Sequence, residues 1–294
     1  MAAAVLLAAS PAFSAESKGE ALVVLGAEVW NYRALADGFA QGLGGARTLV
    51  ASSADFATEL KAELGRARIV LAVSPVAVRA VMGERPAIPV LLAFVGADQA
   101  SPDARALVIP VVVPPAAQVA TIRRSLPSIR DVPRQARLGV LYDPAISSRL
   151  VAECEAAATA AGFTLVKAEV RERSEVAHAA RDLLGRAQAL WLIPDATVVT
   201  SESFRTLMQL SLANRVPLVG FSEAMAKAGA VLAIQPNYGE IGKSAGQAAK
   251  RILEGAPPAL KPPEALAFMN AKAASLLEIE LPEAATGSAA RVFE

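Results

Sequence analysis

"ALWLIPDATVVTSE", residues 189–202, is the stretch whose reading decides the fold. Ala189 to Ile193 carry no polar side chain, and Pro194 ends the run abruptly. Five apolar residues in succession are too few for a helix and leave neither face free for water. They read as a strand covered on both sides, as in a parallel sheet. An acid, Asp195, follows at once, and then the hydroxyls of Thr197, Thr200 and Ser201. The chain thus carries a carboxylate to the mouth of a buried strand, where it can bind a ligand, act as a catalytic acid or shape a turn. Thr200 or Ser201 is placed to cap the helix that follows.

Working outward, short apolar runs alternate with Ala- and Leu-rich helical stretches. "ALVVLG", "ARTLVAS", "ARIVLAV", "IPVLLAFVG" and "ALVIPVVV" are strands of the first half. "ARLGVLY", "FTLVKAEV", "ALWLIP" and "VPLVG" are strands of the second. Strands joined by helices pack as parallel sheets with helices on both faces. "RIVLAVSPVAV" echoes the opening stretch, with Ser74 as an N-cap and Pro75 as the first helical residue. Pro114-Pro115 within "VPPAAQ" cannot continue a central strand and marks a crossing between lobes. A second break falls at "AIQPNYG", 233–239, ahead of a long helix from Tyr238. The expected architecture is α/β: two doubly wound parallel-sheet lobes joined by a hinge. Residues 20–113 plus 237–268 form lobe 1, residues 114–236 plus 269–282 form lobe 2, and 283–294 are a flexible tail.

Composition narrows the function. The 294 residues are 54% apolar, enough for two ordinary cores, and the formal net charge is +1. No clustered basic face marks a nucleic-acid partner, and no apolar run reaches the roughly 18 residues of a membrane span. The N-terminus, "MAAAVLLAASPAFSAES", is a short apolar region broken at Ser10-Pro11. Small residues at Ala12 and Ser14 set up cleavage after Ser14, so residues 1–14 resemble a secretory signal, although no Lys or Arg precedes the apolar run. A periplasmic or other extracytoplasmic location is expected. Cys154 is the sole cysteine; with no partner for a disulfide, it reads as a small buried helix residue.

The chemical motifs fail on their missing parts. "GFSEA", 220–224, has the setting of a nucleophile elbow but ends in Ala224, and the only histidine, His178, precedes it in a surface helix. One histidine supports neither a hydrolase triad nor a histidine-based metal site. "GEIGKS", 239–244, lacks the first glycine of a phosphate loop, because position 237 is Asn237. Gly242, Ala245, Gly246 and Ala249 instead form a small-residue helix stripe suited to close packing. Gly38, Gly42, Gly44 and Gly45 fall at a helix end and read as a C-cap. No enzyme, metal or cofactor is expected.

What remains is positional. Ligands of doubly wound sheets bind beyond the carboxyl ends of the strands. Polar and aromatic residues gather there: Glu28, Trp30, Asn31, Ser74, Asp98 and Gln99 in the first half. In the second half they are Tyr142, Asp143, Ser147, Ser148, Asp195, Thr197, Phe221, Ser222, Gln235 and Asn237. Helix N-termini offer N–H groups for an anion, and a carboxylate such as Asp195 could hold a cation. Two such edges face to face suit amino-acid capture.

The second half resembles the substrate-binding proteins of ABC importers, in the tryptophan/tyrosine-type group of the type I periplasmic-binding fold. The likeness is clearest across 115–282, in "LPSIRDVPRQARLGVLYDP", in the run from "ALWLIPDATVV" through "YGEIGKSAGQAAKRILEGAPP", and in "MNAKAASLLEIELP". It implies two lobes, a hinge of three crossings, closure around a small ligand, and delivery to a membrane permease. It also implies binding by Ser74 from the first lobe and by Tyr142, Asp143, Asp195 and Thr197 from the second. Ala196 stands where the family has Asn, and "VGADQA" lacks a proline after Asp98. With these departures the resemblance supports the fold and leaves the ligand open, an aromatic amino acid being unsupported. The expected protein is a monomeric solute-binding protein of an ABC importer, capturing a small polar ligand, amino acids among the candidates. The alternative is a ligand-sensing module feeding a receptor or kinase.

Overall fold

The run Ala21–Leu25 (β1) is buried along its whole length because its two faces serve two different cores. Ala21, Val23 and Leu25 pack into one cluster, Leu22 and Val24 into another. This two-sided burial is what a strand without a polar residue requires. A computed structural model of the chain describes residues 21–95, 106–126 and 136–294. The signal-like segment 1–14, and Asp98 and Gln99, lie outside the described residues.

Four further strands join β1: β2 (Arg47–Val50), β3 (Ile69–Val73), β4 (Val90–Ala93) and β5 (Ala106–Ile109). All pairs are parallel, in the order β2-β1-β3-β4-β5. One face is covered by α1 (Trp30–Leu43), through Leu35 and Phe39. The other is covered by α2 (Phe56–Leu64) and α3 (Pro75–Gly83), through Leu60, Val78 and Val81.

The second sheet is built from β6 (Arg137–Tyr142), β7 (Thr164–Glu169), β8 (Ala189–Trp191), β9 (Leu218–Gly220), β10 (Leu232–Pro236), β11 (Ala265–Asn270) and β12 (Arg291–Phe293). Its order is β12-β11-β10-β9-β8-β6-β7. Helices α4 (Pro115–Ser125) and α5 (Pro144–Ala160) supply Val119, Ile122, Val151 and Cys154 to one face. Helices α6 (Val176–Leu184) and α7 (Ser201–Ala213) supply Leu183 and Leu207 to the other. A short helix, α8 (Glu223–Lys227), leads into β10. Each sheet has its own pair of cores, which is the doubly wound, two-lobed architecture expected.

Helix α9 (Tyr238–Leu253) leaves the second sheet and returns to the first, where Ile241, Ala245 and Ala249 join the core under β1. It lies against α1 at backbone distance. A Cβ on Gly242 would collide with the Leu35 carbonyl, and one on Gly38 with the Gly239 carbonyl. The small-residue stripe is therefore a packing device. Gly38 and Gly42 belong to it as well; Gly44 and Gly45, at φ 103° and 137°, end α1 with both N–H groups donating to the Ala40 carbonyl.

Two boundaries differ from the sequence reading. The return to lobe 2 comes sooner than residue 268, because β11 pairs antiparallel with β10 from Ala265 onward. Its inner residues, Ala267 and Met269, belong to the second lobe's core. The supposed flexible tail is ordered: after α10 (Ala271–Leu276), α11 (Glu283–Gly287) buries Ala285, and β12 pairs parallel with β11. Few apolar residues are needed to seat a strand that has a sheet edge to pair with, so composition gave no warning.

Three crossings join the lobes, through 110–114, Asn237 and 254–264. They are tied down by hydrogen bonds. The Gln118 Nε2 donates to the Val113 carbonyl (2.8 Å), and its Oε1 accepts from the buried Trp191 indole (3.1 Å). The Asn237 N–H donates to the Glu264 carbonyl (3.1 Å). The Lys261 N–H donates to Ser244 Oγ (2.9 Å).

Cys154 is fully buried in α5, as expected, and burial pushes its thiol up from 9.0 to about 12. The folded chain therefore keeps this proton between pH 9.0 and about 12, where an unfolded chain loses it, so this thiol makes stability fall as pH rises through that window. Ellman's reagent at pH 8 should react with no thiol in the native protein and with one in guanidinium. Rapid native labelling would contradict the buried placement.

Candidate functional site

All strands of the first sheet run parallel, so the turns after β1, β3 and β4 share one edge. Gly26, just past β1, lets the first two turns touch: a Cβ there would collide with Ser74 Oγ and lie beside Val76. Ser74 is buried and sits at φ 105°, ψ 159°, a conformation L-residues rarely adopt. Its N–H donates to the Ala93 carbonyl (3.0 Å), and its Oγ accepts the Ala77 N–H (3.3 Å), capping α3 as expected. Phe94, after β4, is also left-handed, with φ 59°. Such backbone costs on the order of 1–3 kcal/mol per residue and persists where surroundings hold it, often at binding sites.

Phe94 places an aromatic ring on this edge. It packs against Tyr32 (centroids 4.8 Å apart) and Tyr238 (5.4 Å), and Tyr238 meets Trp30 edge-on at 5.5 Å and 72°. Burial pushes the Tyr238 phenol up, with the nearby Asn31 side chain acting in the opposite direction. Trp30 and Asn31 thus lie on this lip with Ser74. The sequence reading missed Phe94 and Tyr238, which sat within an apolar run and at a helix start. Their signal was an aromatic residue within two positions of a strand end.

The second sheet presents its own edge, where β6 and β8 are neighbours. Asp195 is 3% exposed, and both of its oxygens are engaged by the chain. Oδ1 accepts the N–H groups of Thr197 (3.0 Å) and Val198 (3.1 Å); Oδ2 accepts that of Asp143 (2.8 Å). Thr197 Oγ1 donates to Asp143 Oδ2 (2.8 Å), and Asp143 Oδ1 accepts the Ala145 N–H (2.9 Å), capping α5. The acid after β8 therefore clasps two turns together, with Thr197 and Asp143 as the outer members. Thr200 caps α7 in a capping box with Ser203.

The remaining expected residues divide. Ser147 is buried in the first turn of α5, beside this clasp. Tyr142 turns into the core, and its hydroxyl donates to Glu169 (3.1 Å), so it does not join the lip. Burial and then this bond push its phenol up. Phe221 lines a cavity of about 660 Å3 between α7 and α8, with Thr200, Phe204, Met208 and Met225. Gln235 is consumed in holding the Glu223 N–H (3.0 Å). Asn237 caps α9 and stands between the two edges. Since Pro236 ends β10 and Tyr238 touches Trp30 and Phe94, the carboxyl edges of both sheets meet at this crossing.

Ser222 has extended backbone, φ −146° and ψ 150°, without the strain of a nucleophile elbow. His178 is exposed on α6, 3.7 Å from Asp182. Residues 239–244 lie inside α9 and form no phosphate loop. Among the described residues no three metal-ligating side chains converge, and no helix is long and apolar enough to cross a membrane.

The profile of the ABC transporter substrate binding protein family matches residues 115–293, more than half of the chain. No curated protein matches. Among solved structures, an ABC domain from Streptococcus pneumonia in complex with L-Trp is 21% identical, with TM-score 0.61, covering 93% of this chain and 100% of that one. A ligand-free, open substrate-binding protein with adhesive properties from Clostridium difficile is 17% identical, with TM-score 0.73, covering 94% and 99%. A periplasmic ribose ABC transporter protein from Conexibacter woesei is 15% identical, with TM-score 0.54, covering 86% and 93%. At these identities the likeness shows a shared fold.

Proposed function

The chain belongs to the ABC transporter substrate binding protein family, and from that premise we propose that it is the extracytoplasmic solute receptor of an ABC importer. It captures a small polar ligand, amino acids among the candidates, between the carboxyl edges of its two sheets and hands it to a membrane permease. The observation that carries this reading is the meeting of the two edges at Asn237. Trp30, Asn31 and Ser74 stand on one side, and the Asp143–Thr197 clasp and Ser147 on the other. A neighbour of the same fold holding L-Trp supports a small-molecule ligand.

The three crossings allow the lobes to close without unpairing either sheet. Closure removes water from hydroxyl, amide and aromatic groups that already hold their positions, so little ordering remains to be done on binding. Asp195 acts indirectly, by positioning turns.

Binding should show as thermal stabilisation. At a ligand concentration of about 100 times Kd, the folded state gains about 2.7 kcal/mol. A panel of amino acids, organic acids and sugars should therefore contain compounds that raise the melting temperature. Native mass spectrometry should show the same compounds bound one per chain. If no member of the panel shifts the melting temperature, the receptor reading fails.

A further inference from the structure

Phe221 follows β9, yet it lines a cavity that none of Asn31, Ser74, Asp143, Thr197 and Asn237 lines. This cavity between α7 and α8, of about 660 Å3, has the size of a small-molecule site, roughly 300–1,000 Å3. Its long wall is one face of α7. Ser201, Phe204, Arg205 and Met208 stand at positions i, i+3, i+4 and i+7 of that helix and all line it. From Ser201 to Met208 the helix rises about 10 Å. Leu207 faces the sheet core instead. The opposite wall is α8, through Ala224 and Met225. Phe204, Met208, Phe221 and Met225 flank the core of this face without being sealed into it. Both thioethers lie against glycines: a Cβ on Gly229 would collide with Met208 Sδ, and one on Gly220 with Met225 Sδ. Unbranched, polarizable side chains of this kind adapt to the shape laid against them.

The polar groups gather at one end. Helices α7 and α8 both begin beyond the carboxyl ends of parallel strands, so Ser201 and Ser222 fall at the same end of the groove. Ser222 is the N-cap residue of α8, but its side chain makes no capping hydrogen bond. Arg205, one turn along α7 from Ser201, is the one charged residue of the lining. Among the described residues it enters no ion pair.

We propose that this groove is a second binding site, separate from the facing edges of the two sheets, for a free medium-chain acyl carboxylate. The carboxylate sits at Arg205, Ser201 and Ser222, and the chain lies along Phe204, Met208 and Met225. One cation and no acid on an otherwise apolar groove match one anionic head on an apolar body. The start of α7 adds the positive end of its helix dipole. The large apolar side chains that stand exposed, such as Ile146 and Leu276, do not border the groove. A bilayer needs projecting apolar groups to enter it, whereas a recess between two helices takes a single chain.

Calorimetric titration of the full chain with butanoate, hexanoate, octanoate and 1-octanol tests this site. Each methylene that enters the groove should tighten binding by up to about fourfold, the equivalent of ~0.8 kcal/mol. Octanoate should therefore bind at least tenfold more tightly than butanoate. Arg205→Ala should weaken octanoate about threefold and leave 1-octanol unchanged. Ala224→Trp fills the groove from an exposed position and should abolish octanoate binding with an unchanged far-UV spectrum. Ala228→Phe, at another exposed lining position, repeats that test independently of any effect of the first variant on folding. Affinity that does not grow with chain length overturns the proposal, and so does the absence of any octanoate binding. An Arg205→Ala variant that binds octanoate like wild type overturns it too. Octanoate binding unchanged in both filled variants places the ligand elsewhere and sinks the site. Phosphatidylglycerol vesicles present the same chemistry as a surface, and the chain should stay in solution beside them. Retention on vesicles that Ala224→Trp abolishes would make the occupant a bilayer and end the free-ligand reading.

Discussion

Gly242→Leu should severely destabilise the first lobe. Helices α1 and α9 touch through glycines from both sides, and each missing Cβ leaves room for a backbone carbonyl of the partner helix. The obstacle is main chain and cannot rotate away. Even Gly242→Ala, which gains about 1 kcal/mol of helix propensity, should lower stability on balance, because separating two close-packed helices costs about 1–3 kcal/mol. Leucine adds several atoms to the same collision and should cost more, reading as insoluble protein or a melting temperature lower by 10 °C or more, on the order expected for 3–5 kcal/mol. Gly83→Ala is the control, since a Cβ there meets nothing within 4 Å. Thermal unfolding by circular dichroism checks all three variants, and equal melting temperatures for Gly242→Ala and Gly83→Ala would contradict the packing.

Asp195→Asn is the second large effect. Read from sequence alone, this change should weaken a cationic ligand and leave folding intact. The structure predicts the opposite order. Both carboxylate oxygens accept backbone N–H groups, three in all. An amide keeps one acceptor and turns an NH2 group toward a donor, so at least one buried N–H loses its partner. That costs about 1–3 kcal/mol. Asp195→Ala strands all three and should cost about 3–5 kcal/mol. Urea titrations should show a lower midpoint with an unchanged slope. Ligand affinity should follow indirectly, because Thr197 and Asp143 lose their fixed spacing. A variant of wild-type stability with weakened binding would return Asp195 to direct ligand contact.

The alternation of strands and helices was legible because two-sided burial leaves its mark on every residue of a strand. "ALVVL" and "ALWLI" have no polar position to give to water. The glycine stripe of α9 was legible for a similar reason: four small residues at helical spacing have few uses other than close contact. The C-terminal strand was not, since its Arg291 and Phe293 hold one another and an edge supplied by β11. Nothing local distinguishes such a segment from a loose end.

The site divides along the same line. Sequence alone put Trp30, Ser74, Asp143, Asp195, Thr197 and Asn237 at strand ends, because a strand's carboxyl end follows from chain direction. It could not tell which of them use their polar atoms on the protein itself. Asp195 and Gln235 do so through backbone groups, and Tyr142 through Glu169, 27 residues away. Nor could it show that Tyr238, more than 200 residues from Trp30, props up that indole. Periodic burial is a local property and is written along the chain. Which hydrogen bonds are already spent, and which ring supports which, depends on turns that only the closed fold brings together.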